Sequence, residues 1–169
     1  QCQPPPAETF TRDLKEILKL SRETKVSLQY SGGRLLLLDT RFCGAAGSNF
    51  FVTPRGDVTA CVEVSRRQDP RAEIFMYGKY DAESLKFGFD EARFQHLVEL
   101  RVQDFNSCQD CFARWHCCGD CLAKTPALTT IGSQRNLYRC SINRAFTKHQ
   151  LPLELEGTCA GVSARQTAR

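Results

Sequence analysis

The sequence offers little to a membrane, to a nucleic acid or to a hydrolytic active site. Its longest strongly apolar run is Leu35-Leu36-Leu37-Leu38, far short of the ~20 residues a helix needs to span a bilayer. No basic segment followed by an apolar one opens the chain, so no secretory signal is visible. Basic residues exceed acidic ones by four, 23 against 19, yet they are scattered. Arg66-Arg67 is the only adjacent basic pair, and Glu63 and Asp69 flank it. Nucleic-acid binding needs a concentrated basic face and usually aromatic platforms, so these charges read as a solvated surface. No paired acid and base, Ser-His-Asp arrangement or phosphate-cradling glycine loop occurs.

What the 169 residues do contain is cysteine, ten in all, at positions 2, 43, 61, 108, 111, 117, 118, 121, 140 and 159. Five of them crowd into CQDCFARWHCCGDC, residues 108–121. A core does not require this, because aliphatic residues fill space without risk of oxidation. An even count is compatible with disulfides in an oxidising compartment. Against that, Cys117 and Cys118 are adjacent, the interval from 61 to 108 holds no further cysteine, and a chain of this length buries a core without staples. Metal ligation is the stronger reading, in a reducing cytoplasm where thiols persist.

The pattern of the remaining residues predicts a small α+β fold with a central β-hairpin and peripheral helices. Gln-Pro-Pro-Pro after Cys2 reads as a stiff linker. Phe10, Leu14, Ile17 and Leu18 form one face of an amphipathic helix over 7–22. Ser31-Gly32-Gly33 is a turn, followed by a short buried strand over 34–40. The clearest hairpin is 49–64, turning at Thr53-Pro54-Arg55-Gly56, where Pro second and Gly fourth suit a tight turn. Residues 65–89 read as loop with short extended pieces around 74–78. Asp90 caps a helix over 91–102 that buries Phe94, Leu97 and Val98. Residues 119–124 form a single helical turn ended by Pro126, and a last helix runs from Cys140 to Gln150. The small, polar stretch that follows reads as a flexible tail over 151–169.

Cys108-x2-Cys111 and Cys117-x3-Cys121 can by themselves make one tetrahedral zinc site. That leaves Cys43, Cys61 and Cys140 without a role, whereas seven cysteines in three separated blocks point to two metal centres in one domain. The order is Cys43, twelve residues, Gly56, four residues, Cys61, then Cys108-x2-Cys111-x5-Cys117-x3-Cys121 and finally Cys140. This spacing resembles the SPASM domain, the C-terminal extension of many radical S-adenosylmethionine (SAM) enzymes that modify peptides and proteins. The resemblance covers about residues 35–150. Residues 1–34 would then be a linker and helix bridging from a radical SAM barrel that lies outside this sequence.

The resemblance implies two auxiliary [4Fe–4S] clusters with interleaved ligands. Cys43, Cys61 and Cys121 would hold the first; Cys108, Cys111, Cys117 and Cys140 the second. Some members supply one more cysteine between the first two pattern positions, which this sequence lacks. Cys118, Cys2, Cys159, a substrate group or water would complete the first cluster, and Cys118 reads more simply as a small buried residue. His116 is expected to pack or hydrogen-bond, Trp115 and Phe112 to shield the second cluster, and Arg139 and Arg144 to offset its negative charge.

SAM cleavage itself needs a further [4Fe–4S] cluster on Cys-x3-Cys-x2-Cys, and these residues contain no such triplet. SAM and that third cluster are therefore expected in the barrel, with this chain not catalytic alone. The expected role is electron transfer and engagement of a peptide or protein substrate, with neither nucleic acid nor membrane as a partner. The rival is a structural zinc domain that serves as an interaction module without redox function.

Overall fold

The computed structural model describes residues 3–24, 26–124 and 137–166, with side chains described as far as 156. Among these the architecture is α+β: a four-stranded antiparallel sheet and five helices. Helix α1 (Ala7–Thr24) confirms the amphipathic period. It packs along α5 (Leu137–Gln166) with Phe10, Leu14 and Leu18 half-buried and Ile17, expected on the same face, 51% exposed; Arg22 reaches both Gln150 (2.9 Å) and Glu154 (3.3 Å).

The hairpin forms as the turn residues dictate. Strands β1 (Phe51–Val52) and β2 (Asp57–Thr59) pair Phe51 with Thr59 and Val52 with Val58. Gly56 takes φ +78°, a left-handed conformation that costs glycine little. Its N–H bonds Thr53 O at 2.8 Å, and the Asp57 N–H bonds Thr53 Oγ1 at 3.1 Å. The hairpin is one half of a meander rather than the central element. Helix α2 (Ala72–Phe75), β3 (Met76–Asp81) and β4 (Lys86–Phe89) occupy the stretch read as loop, and the strand order is β1-β2-β3-β4. The β3–β4 turn contains neither Gly nor Pro; Leu85 adopts φ +55° instead.

Asp90 caps helix α3 (Glu91–Glu99) as expected, accepting the Arg93 N–H at 3.0 Å. Leu97 is fully buried there, and Phe75, Val58, Val64 and Val102 join it in the core under the sheet. The expected strand over 34–40 does not form. Its leucines face outward, Leu36 73% and Leu38 68% exposed, because the segment follows the cysteine region instead of a sheet edge. There the Arg34 N–H bonds His116 O at 2.9 Å and the Asp39 N–H bonds Trp115 O at 3.1 Å.

Helix α4 is one turn, Arg114–Cys117, and Leu122–Lys124 is the expected short helical turn, of 3₁₀ type. Helix α5 begins three residues before Cys140 and continues through Gln166, past the expected end at Gln150. Pro152, inside the helix, removes one N–H from that ladder, and its ring crowds the carbonyl of Lys148. Cys2 and the Pro126 stop lie outside the described residues, as does the Cys159 side chain.

Candidate metal centre

The cysteine region has almost no regular secondary structure, so its thiols are positioned by turns. The Cys108 N–H bonds Phe105 O (2.7 Å), the Cys111 N–H bonds Cys108 O (3.1 Å) and the Arg114 N–H bonds Cys111 O (3.1 Å). This relay delivers Cys108 and Cys111 beside Cys117 at the end of α4. Cys140, one turn into α5, arrives from the other side. The four line one cavity of about 310 Å³ together with Asn106, Asp110, Asn143 and Arg144. Burial pushes the Cys117 thiol up to about 12, and Cys108, Cys111 and Asp120 add to the rise.

Cys43, Cys61 and Cys121 belong to a second grouping. Cys43 opens a tight loop in which the Ala46 N–H bonds its carbonyl at 3.2 Å, while Ala45 and Ala46 plug into the core. Asn49 Nδ2 ties that loop to Ala60 O at 3.1 Å, immediately before Cys61. Glu63 then joins the Cys61 strand end to the Cys121 turn, through Lys124 Nζ at 2.7 Å. Burial raises the thiol pKa of both Cys61 and Cys121, and the proximity of Cys43 and Glu63 raises each further. Cys43 itself is exposed, at the edge of a groove of about 830 Å³ between α1, α5 and residues 27–43.

Between Cys117 and Cys121 the backbone reverses sharply. Cys118, Gly119 and Asp120 all have positive φ, +49°, +78° and +66°, so the two flanking thiols are sent to different groupings. For the two non-glycine residues this costs roughly 1–2 kcal/mol each, and both are anchored. Cys118 Sγ donates to Asp39 O (3.3 Å) and accepts from Arg34 Nη2 (3.4 Å). Asp120 is buried and receives the Arg139 guanidinium in a two-point pair, with Nη2–Oδ1 at 2.7 Å.

These contacts agree with the expectations for Cys118 and His116 and differ from those for Arg139, Trp115 and Phe112. Cys118 is held against residues 34–41 as a buried structural thiol. The Arg139 charge is engaged by Asp120, leaving Arg144 as the guanidinium at the cavity wall. His116 is buried, with Nδ1 3.3 Å from Arg34 O, a packing and hydrogen-bonding role. Trp115 packs against the main core, with the Arg114 guanidinium 4.6 Å from its ring. Phe112 is 54% exposed, and the Arg144 guanidinium lies 5.9 Å from its ring. Neither aromatic ring lines the four-thiol cavity.

Four thiols lining one cavity of about 310 Å³ are the number of donors that a cubane, with one thiolate to each iron, would need. Among the described residues no three His, Cys, Asp or Glu side chains converge closely enough to hold one metal ion. The chain matches no family model, no curated protein and no solved structure.

Proposed function

We propose that this chain is an auxiliary domain binding two [4Fe–4S] clusters in a radical SAM enzyme that modifies peptides or proteins. The observation carrying the reading is the sorting of seven thiols. Four from separate segments, Cys108, Cys111, Cys117 and Cys140, surround one cavity, while Cys43, Cys61 and Cys121 gather elsewhere. That is the division the SPASM resemblance implies, and the left-handed reversal at 118–120 is a physical means of producing it.

When bound, such clusters supply one-electron transfer. The chain's own residues would set the conditions. Arg144 brings positive charge to the wall of the four-thiol cavity, opposed by Asp110. Cys43 lies where a groove opens to solvent, with Leu28, Leu35, Leu36 and Phe42 along it. A peptide or protein substrate would reach the three-thiolate cluster there, at the position that has no fourth pattern cysteine. A reduced cytoplasm suits this chemistry, and among the described residues no helix is long and apolar enough to cross a membrane. SAM and its own cluster would belong to the adjoining barrel.

Iron, acid-labile sulfide and zinc per chain, measured on protein purified without oxygen, test the proposal. About eight iron and eight sulfide, with visible absorbance that bleaches on reduction, is the expected result. Zinc without sulfide after anaerobic reconstitution would replace it with the structural zinc reading. Incubation with SAM and a reductant should yield no 5′-deoxyadenosine above background.

A further inference from the structure

Asn143 is 1% exposed, and its Nδ2 has no hydrogen-bond acceptor among the described residues. A buried donor left unpaired costs about 1–3 kcal/mol, so its surroundings matter. It lies three residues after Cys140, on the same face of α5, and lines the four-thiol cavity. The other end of the amide is fixed. The Tyr30 hydroxyl donates to Asn143 Oδ1 at 2.6 Å, and the Tyr30 ring is wedged against Phe146 with centroids 4.8 Å apart. Burial pushes the Tyr30 phenol up to about 12, so it remains a donor through the physiological range. Gly32 closes the arrangement, since a methyl group there would collide with Asn143 Oδ1 and lie 2.6 Å from the Tyr30 ring.

We propose that Asn143 donates its side-chain N–H to the centre held by Cys108, Cys111, Cys117 and Cys140, with Tyr30 as the positioning residue that keeps the amide in that orientation. The inference rests on the two-cluster reading. Hydrogen bonds to the sulfurs of a cluster favour its reduced, more negative state and raise its potential. Arg144 shares the cavity wall but is exposed to water, which screens its charge. The buried amide is the donor whose effect solvent does not dilute. Only one of the two clusters would be tuned in this way, so the other serves as an internal reference.

The test is an anaerobic redox titration followed by electron paramagnetic resonance, on the loaded chain and on Asn143→Leu and Tyr30→Phe, each with iron and sulfide determined. In Asn143→Leu one midpoint should move to a more negative potential while the other stays, with loss of an exchangeable-proton coupling from the shifted signal. Tyr30→Phe should move the same midpoint by less. Unmoved midpoints in fully loaded Asn143→Leu, or equal shifts of both, overturn the inference. Should Asn143→Leu fail to load, Tyr30→Phe decides, and an unmoved midpoint there overturns it. Failure of the two-cluster reading looks different: the unsubstituted protein would then contain no sulfide.

Discussion

The sheet and the cysteine region solve the problem of stability in opposite ways. Around the sheet, backbone groups pair in a regular ladder from β1 to β4, and fully buried Val58, Phe75, Leu97 and Val102 supply a conventional core. In residues 105–124 the backbone makes turn after turn with only one-turn helices, and three successive positions sit at positive φ. Apolar burial alone can hold the first. The second sends Phe105, Leu122 and Ala123 into that same core, but its turns are fixed in addition by specific polar anchors, namely Arg139 on Asp120, Arg34 and Asp39 on Cys118, and Arg71 on Ala123 O. The proposed clusters would complete that set. A protein can thus spend its ordinary folding energy on a platform and leave the reactive part to be organised by its cofactor.

The most severe way to break this contrast is to remove a thiol. Cys140→Ala in the anaerobically loaded protein should release iron, and hydrogen exchange should rise across 105–124 and 137–150. Peptides covering 51–59 and 76–89 should keep their protection. Exchange rising equally in both would mean that the two regions fold as one unit. A core truncation does the converse. Phe75→Ala should cost about 3–5 kcal/mol in a denaturant titration, by the same amount with or without iron.

Asp120→Asn keeps the shape but withdraws the negative partner of Arg139. Breaking a mostly buried pair in this way costs about 3 kcal/mol, seen as a lower thermal midpoint. Because Asp120 sits in the reversal between the two thiol groupings, faster iron loss should accompany it. At Gly56 a smaller penalty is expected. Gly56→Ala must hold φ +78° at about 1 kcal/mol, and a modest loss of stability independent of iron would mark the hairpin as part of the platform.

Smallest is an effect on one carboxyl group. Arg71 hydrogen-bonds Asp69 through both Nε (2.9 Å) and Nη2 (2.8 Å) and holds its pKa down to about 2. The same guanidinium bonds Ala123 O at 2.8 Å, beside Cys121, so it links the two regions. Since the folded pKa is depressed, the stabilisation is full above the ordinary carboxyl range and fades as pH falls toward 2. Carbon-detected NMR titration should find Asp69 near that value, and Arg71→Gln should return it to the usual range.

The degree to which these features could be read from residues alone differs along the chain. Asp90 and Gly56 spoke clearly because a cap and a tight turn depend on one or two residues. The β3–β4 hairpin was hidden because Leu85 takes a conformation that glycine usually marks. Leu35–Leu38 points the wrong way for a complementary reason: four consecutive apolar residues carry no period that tells a buried strand from an exposed loop. At the cysteines, the expected set of Cys108, Cys111, Cys117 and Cys140 does line one cavity. The Tyr30–Asn143 pair joins positions 113 apart, which no local pattern reveals, although Asn143 three residues after Cys140 was a usable hint. Proximity in sequence places Phe112 and Trp115 beside the thiols, but the turns over 111–118 carry both rings away from the four-thiol cavity.

The alternation of the two thiol groupings along the chain also imposes a timetable on synthesis. A ribosome delivers residues in order, so Cys43 and Cys61 emerge long before Cys121, and three thiols of the other grouping appear first. On the two-cluster reading, Cys108, Cys111 and Cys117 would already be competing for the same iron when Cys121 becomes available. Order of appearance therefore cannot tell the partners apart. The left-handed bend at 118–120 would then be the sorting device: until it sets, the nascent chain would have every means of pairing Cys117 and Cys121 wrongly, and afterwards none.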